Sequence, residues 1–163
     1  MKRIISLLVC LYASFSVNYA QNTVKLEFDT RPYEGTWVAI KNDTTYEISI
    51  ETKIVRIQKG KLDTLCEAIL GSIKIIKSGN IIKDVPIDGI TSPLVGGYLY
   101  KGALVLTYAE IGTHYNLLDL HFTLSTDKKE AIWELKEKEG IKPRRTVFSQ
   151  YSIPKTLKFN KKG

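Results

Sequence analysis

The chain has 163 residues, 44% of them hydrophobic, with 24 Lys and Arg against 17 Asp and Glu for a net charge of +7. That length is one domain's worth and enough to bury a substantial core. Of its cysteines, Cys10 and Cys66, the first falls in a leader, so a fold stapled by an intramolecular disulfide is excluded.

Residues 1–20 read as a signal peptide. Lys2 and Arg3 precede an apolar run over residues 4–17 that is too short to span a bilayer, and Ala20 precedes Gln21 at a cleavage point. Asn18 is large for its place, so cleavage after Ser16 also fits. A lipid attachment at Cys10 fits worse, because Val9 is bulky where a small residue is needed. No later segment is long and apolar enough to cross a membrane as a helix. The expectation is an exported protein, periplasmic or extracellular, whose residues 21–163 form one domain.

Charge is unevenly spread. From residue 138 onward the basic residues are Lys138, Lys142, Arg144, Arg145, Lys155, Lys158, Lys161 and Lys162, against Glu139 alone. Such a segment suits an anionic glycan, an envelope component or a partner protein, and it equally suits a solvated tail.

Period-two alternation then runs through the chain. Residues 36–41 read as a strand, Asn42-Asp43 as a tight turn, and residues 45–51 as a half-buried strand with Tyr46, Ile48 and Ile50 on one face. The Asn42-Asp43-Thr44 match to a glycosylation acceptor is explained by turn chemistry. Residues 53–58 continue the alternation, and Lys59-Gly60 supplies a turn. Residues 65–76 are broken at Gly71, and Cys66 among them reads as a small apolar residue. Ser78-Gly79 turns the chain into residues 80–85, a second hairpin. Residues 86–97, rich in Pro and Gly, form a loop at the open end of a barrel.

Two long strands are predicted next, residues 98–110 and 115–126. In the second, Leu118, Leu120, Phe122 and Leu124 face one way and Asp119, His121 and Thr123 the other. Residues 131–136 and 156–160 complete the set, with a connection over 139–151. The fold class is therefore all-β: a single antiparallel up-and-down β-barrel of eight to nine strands, whose closure removes exposed edges.

Within that pattern Gly35-Thr36-Trp37, just after Tyr33, resembles the opening signature of lipocalins and the wider calycin group. Fatty-acid-binding proteins share the Gly-Thr-Trp wording but place two helices after the first strand, where this sequence continues into residues 45–51. The chain more closely resembles a family of small, secreted, uncharacterised Bacteroidota proteins with a lipocalin-like barrel. The resemblance rests on Gly35-Thr36-Trp37, ILGSIKIIKSGN at 69–80, WELKEKEG at 133–140 and IPKTLKFNK at 153–161. It implies a fold and no activity. By the lipocalin likeness Gly35 and Trp37 plug the barrel's closed end, with Arg144 or Arg145 covering the indole in a cation–π contact worth about 0.5–2 kcal/mol. The other role for Trp37 is to line a cavity.

Tyr98, Tyr100 and Tyr108 fall on one face of the strand predicted over 98–110. They suit either a pocket for an amphipathic or sugar-like ligand or a core with a wet rim. Inward space would come from Ala39, Ala68, Gly102 and Ala103. His114 and His121, with Asp119 beside the latter, fall short of a metal set, so no metal and no cofactor is assigned. Glu47, Glu51, Glu110 and Asp119 are the carboxylates from which a hydrolytic pair would be drawn, but spacing brings no two together. No nucleophile, phosphate-cradling or dinucleotide motif is present, and the aromatics of the basic segment form no platform for nucleic acid. The sequence predicts a non-enzymatic barrel that binds a small apolar or amphipathic ligand. The alternative is a scaffold that docks through Arg144, Arg145, Lys155 and Lys158.

Overall fold

Strict alternation lets a strand bury one face and wet the other, and closing such strands into a ring pools the buried faces into one core. A computed structural model describes residues 23–59, 62–109, 118–137 and 152–163. Among them run β1 (Gly35–Lys41), β2 (Thr44–Lys59), β3 (Leu62–Lys77), β4 (Asn80–Val85), β5 (Leu94–Tyr100), β6 (Ala103–Tyr108), β7 (Leu118–Leu124), β8 (Glu130–Glu137) and β9 (Thr156–Lys161).

The ladder order β2-β1-β9-β8-β7-β6-β5-β3 closes on itself through β2–β3, with every pairing antiparallel. This is an eight-stranded barrel in which sequence neighbours are ladder neighbours. It is consistent with the expected lipocalin-like architecture. β4 lies outside the ring, paired to β3 over Ile73–Lys77 across a bulge at Ile75/Ile76.

Several elements differ from those expected. The strands predicted over 45–51 and 53–58 are one strand of 16 residues, β2, in unbroken register with the 16 of β3. At about 3.3 Å per residue these strands are about 50 Å long, more than twice the length of the seven-residue β1. β1 pairs β2 only as far as Gly35↔Ile50, so the distal half of β2–β3 projects past the closed end as a ribbon. Val24 bridges to Cys66 on its flank, where the thiol is half-buried. The loop of 86–97 is shorter than expected: a single 3-10 turn spans Gly89–Thr91 and β5 has begun by Leu94.

The largest correction concerns the strand predicted over 98–110, whose described part, 98–109, holds a hairpin turn rather than one strand. Lys101 and Gly102 take φ of 49° and 81°, both left-handed, and close a two-residue turn that pairs Tyr100 with Ala103.

Inside the ring, Trp37 meets Phe122 edge-on at 5.2 Å between centroids, and Phe122 meets Phe159 at 6.1 Å. Phe159 meets Trp133 at 5.9 Å, and Trp133 meets Tyr108 at 5.8 Å. This chain of rings runs from the closed end toward the opposite rim, walled by aliphatic residues such as Ile48, Ile73, Leu106 and Leu120. Of the small residues expected to leave space inside, Ala39 faces the core, whereas Ala68 sits on the ribbon, Gly102 in a turn and Ala103 on the outer wall.

Candidate functional site

The closed end is built around Gly35-Thr36-Trp37. Trp37 is fully buried, and its indole N–H donates to the Tyr33 carbonyl at 2.8 Å, folding the lead back across the barrel's end. Thr30 and Thr52 hydroxyls both donate to Glu34 Oε1, tying that lead to β2. The cation over the indole is Lys161, whose Nζ lies 5.1 Å from the ring centroid and donates to the Pro32 carbonyl at 3.1 Å. Arg144 and Arg145, expected in that place, lie outside the described residues. Gly35 has φ +111°, and a Cβ there would stand 3.3 Å from Lys161 Cε. The glycine is what lets the lysine lie down over Trp37. Alternation held the clue to Lys161, since β9 turns Leu157, Phe159 and Lys161 to one face.

The hairpin turn at Lys101-Gly102 separates the three tyrosines. Tyr108 points inward from β6 and is fully buried against Trp133. Tyr98 and Tyr100 stand on the outer wall, 55% and 46% exposed. In the ladder, Tyr98 is opposite Val105 and Val105 opposite His121, while Tyr100 is opposite Ala103 and Ala103 opposite Thr123. Val105 is 1% exposed beneath them, and Ala103, also buried, lies on the floor of a groove with phenol rings on one bank.

Its other bank comes from the polar faces of β7 and β8. His121 is paired with Glu134 and Asp119 with Lys136. The groove has a volume of about 540 Å³ and is open along one side. Lys101 Nζ lies 5.1 Å from the Tyr100 ring centroid, and Tyr100 meets His121 edge-on at 6.3 Å. Glu134 is ion-paired with Lys136 at 3.1 Å. A second groove, about 470 Å³, lies on the far side of Tyr98 against residues 25–28. Tyr98 is thus a ridge between two depressions.

Other candidate residues do not gather. Glu47 and Glu51 are on β2, across the ring from Asp119 on β7, and they pair with Lys162 and Lys53. Glu110 and His114 lie outside the described residues. No three His, Cys, Asp or Glu side chains converge among the described residues. Of the basic residues, Lys155 is exposed and Lys158 is ion-paired with Glu130 at 2.8 Å. One interior group stands out: among the described residues no acceptor reaches the buried indole N–H of Trp133.

A family of unknown function (DUF6705) matches residues 1–89, more than half of the chain. The chain belongs to this family. The part matched to the family holds Gly35-Thr36-Trp37, the ribbon and the β3–β4 hairpin; the outer groove is built from β5 to β8, beyond it. No curated protein and no solved structure matches the chain.

Proposed function

We propose that this protein is an exported, non-catalytic binding barrel that holds an amphipathic ligand on its outer wall, in the groove beside Tyr98 and Tyr100. The observation carrying this is the exposure of two phenol rings beside the buried Ala103, facing a bank of polar heads. Rings with an apolar body and a polar tip suit a ligand that is apolar on one side and hydroxylated or charged on the other. Binding is favoured over catalysis because the groove is open, whereas reacting groups gain most where water is shut out. Export is supported by the charged start, apolar run and small residue of residues 1–20.

Trp133 favours a second reading. A buried N–H without an acceptor costs about 1–3 kcal/mol, and a guest inside the barrel that carries one acceptor would recover it. A thermal-shift screen over a mixed panel of amphiphiles and oligosaccharides separates the two. Hits lost in Tyr98→Ala/Tyr100→Ala but kept in Trp133→Phe place binding in the groove, and the reverse pattern places it inside. A panel in which no hit depends on Tyr98 or Tyr100 refutes the first reading.

A further inference from the structure

Resting on the outer-groove reading, we infer that the occupant of the Tyr98/Tyr100 groove is a neutral or cationic saccharide chain rather than a small apolar molecule.

Enclosure comes first. Sites for small apolar ligands bury most of the ligand's surface. This groove is open along one side, so an apolar guest would keep much of its surface wet. A polar chain running through it would not suffer from that exposure.

The two rings come second. Tyr98 and Tyr100 are two residues apart on one strand face, about 6.6 Å along the strand, so successive sugar rings of an extended chain can lie over both. A pyranose offers one face of C–H bonds, slightly positive at hydrogen, and an aromatic ring offers a negative face to receive it. The opposite bank supplies what the hydroxyls need. His121, Asp119, Glu134 and Lys136 provide donors and acceptors side by side on β7 and β8.

Charge separates the saccharide classes. The acids lining the groove are Asp119, Glu134 and Glu137, and the lysines are Lys101 and Lys136, so carboxylates outnumber ammonium groups. Glu134 already holds Lys136, and Lys101 lies by the Tyr100 ring. A sulfated or uronate chain would bring its charges against an acidic lining, whereas a neutral or amino sugar would not.

A peptide strand is the other polymer an open groove can take, and it wants a sheet edge for its main chain. On the groove floor β6, β7 and β8 are paired in unbroken register, so recognition there falls to side chains.

Isothermal titration of the full mature protein tests this with four probes: cellohexaose, a chitosan hexamer, a heparin hexasaccharide and dodecanoate. The expected result is binding of cellohexaose or the chitosan hexamer, weakened about tenfold by Tyr100→Ala, the loss expected for one aromatic stacking contact. Unchanged thermal unfolding of the variant would confirm an intact fold. If dodecanoate binds and Tyr100→Ala removes it while no saccharide binds, the groove reading stands and the saccharide inference falls. If no probe's affinity responds to Tyr98→Ala or Tyr100→Ala, both fall. Tightest binding of the heparin fragment would overturn the charge argument and point to the basic segment after residue 138.

Discussion

Replacing Gly35 with Ala would strike the closed end at one point and spread through Lys161. At φ +111° an L-residue sits in strained backbone, which costs about 1–3 kcal/mol. The new methyl would stand 3.3 Å from Lys161 Cε, and this lysine is not free to swing aside without loss, because its ammonium is held between the Trp37 ring and the Pro32 carbonyl. Displacing it forfeits a cation–π contact of about 0.5–2 kcal/mol and a hydrogen bond of about 1 kcal/mol. The sum is about 2.5–6 kcal/mol, or a fall in Tm of about 8–18 °C for a domain of this size. Urea unfolding of the wild type, Gly35→Ala, Lys161→Ala and the double variant completes the test. Because part of the glycine's cost passes through the lysine, the double variant should be more stable than the two losses added together, by about 1.5–3 kcal/mol. Strict additivity, or a cost for Gly35→Ala under about 0.5 kcal/mol, would show that Gly35 does not make room for Lys161.

Trp37→Phe should cost about 2–4 kcal/mol in urea unfolding, from lost volume and an orphaned Tyr33 carbonyl. Trp133→Phe removes a donor that lacks a partner among the described residues and should cost less than half as much. Tyr98→Ala and Tyr100→Ala, on the exposed wall, should each change stability by under about 0.5 kcal/mol. In acid, Asp43 is held below its ordinary 3.8 by hydrogen bonds from Ser78 and then Thr44, and Asp29, Asp63 and Asp127 are lowered by Arg31, Arg56 and Ser125 respectively. Folded values depressed in this way favour the native state above 3.8, and the benefit disappears as pH falls through the lowered values. Tm should therefore drop on acidification below about pH 3.8, and Asp43→Asn should make that drop shallower.

The barrel was legible because a ring of half-buried strands leaves period-two alternation wherever one face is dry. Leu118, Leu120 and Phe122 faced inward as their spacing indicated, and Asp119 and His121 faced out. Failure came where alternation carries no information about direction. The dipeptide Lys101-Gly102 is of the same kind as the Ser78-Gly79 turn, but apolar residues flank it on both sides and hide the reversal. Without that turn, alternation groups Tyr108 with Tyr98 and Tyr100, although one lies in the core and two lie on the wall. The outer groove was beyond reach for a related reason. Its banks come from β5, β7 and β8, and only cross-strand register brings Tyr98 into line with His121. The charge of Lys161 points to solvent, whereas its place in the alternation with Leu157 and Phe159 points inward.

The unequal pairing of the ring has a consequence for how the molecule comes apart. β2 and β3 form a local hairpin zipped along 16 residues, while β1 and β9 meet only at Trp37↔Lys161 and Val38↔Asn160, with Lys162 N–H to the Thr36 carbonyl beyond. Those partners are more than a hundred residues apart in sequence, so no short loop holds them together once they part. The barrel has a seam. Amides of β9 and the start of β1 should exchange first in native-state hydrogen exchange, the ring uncurling there into an open sheet while the long hairpin stays shut. During synthesis the same seam closes last, since β9 must emerge before Trp37 receives its lysine.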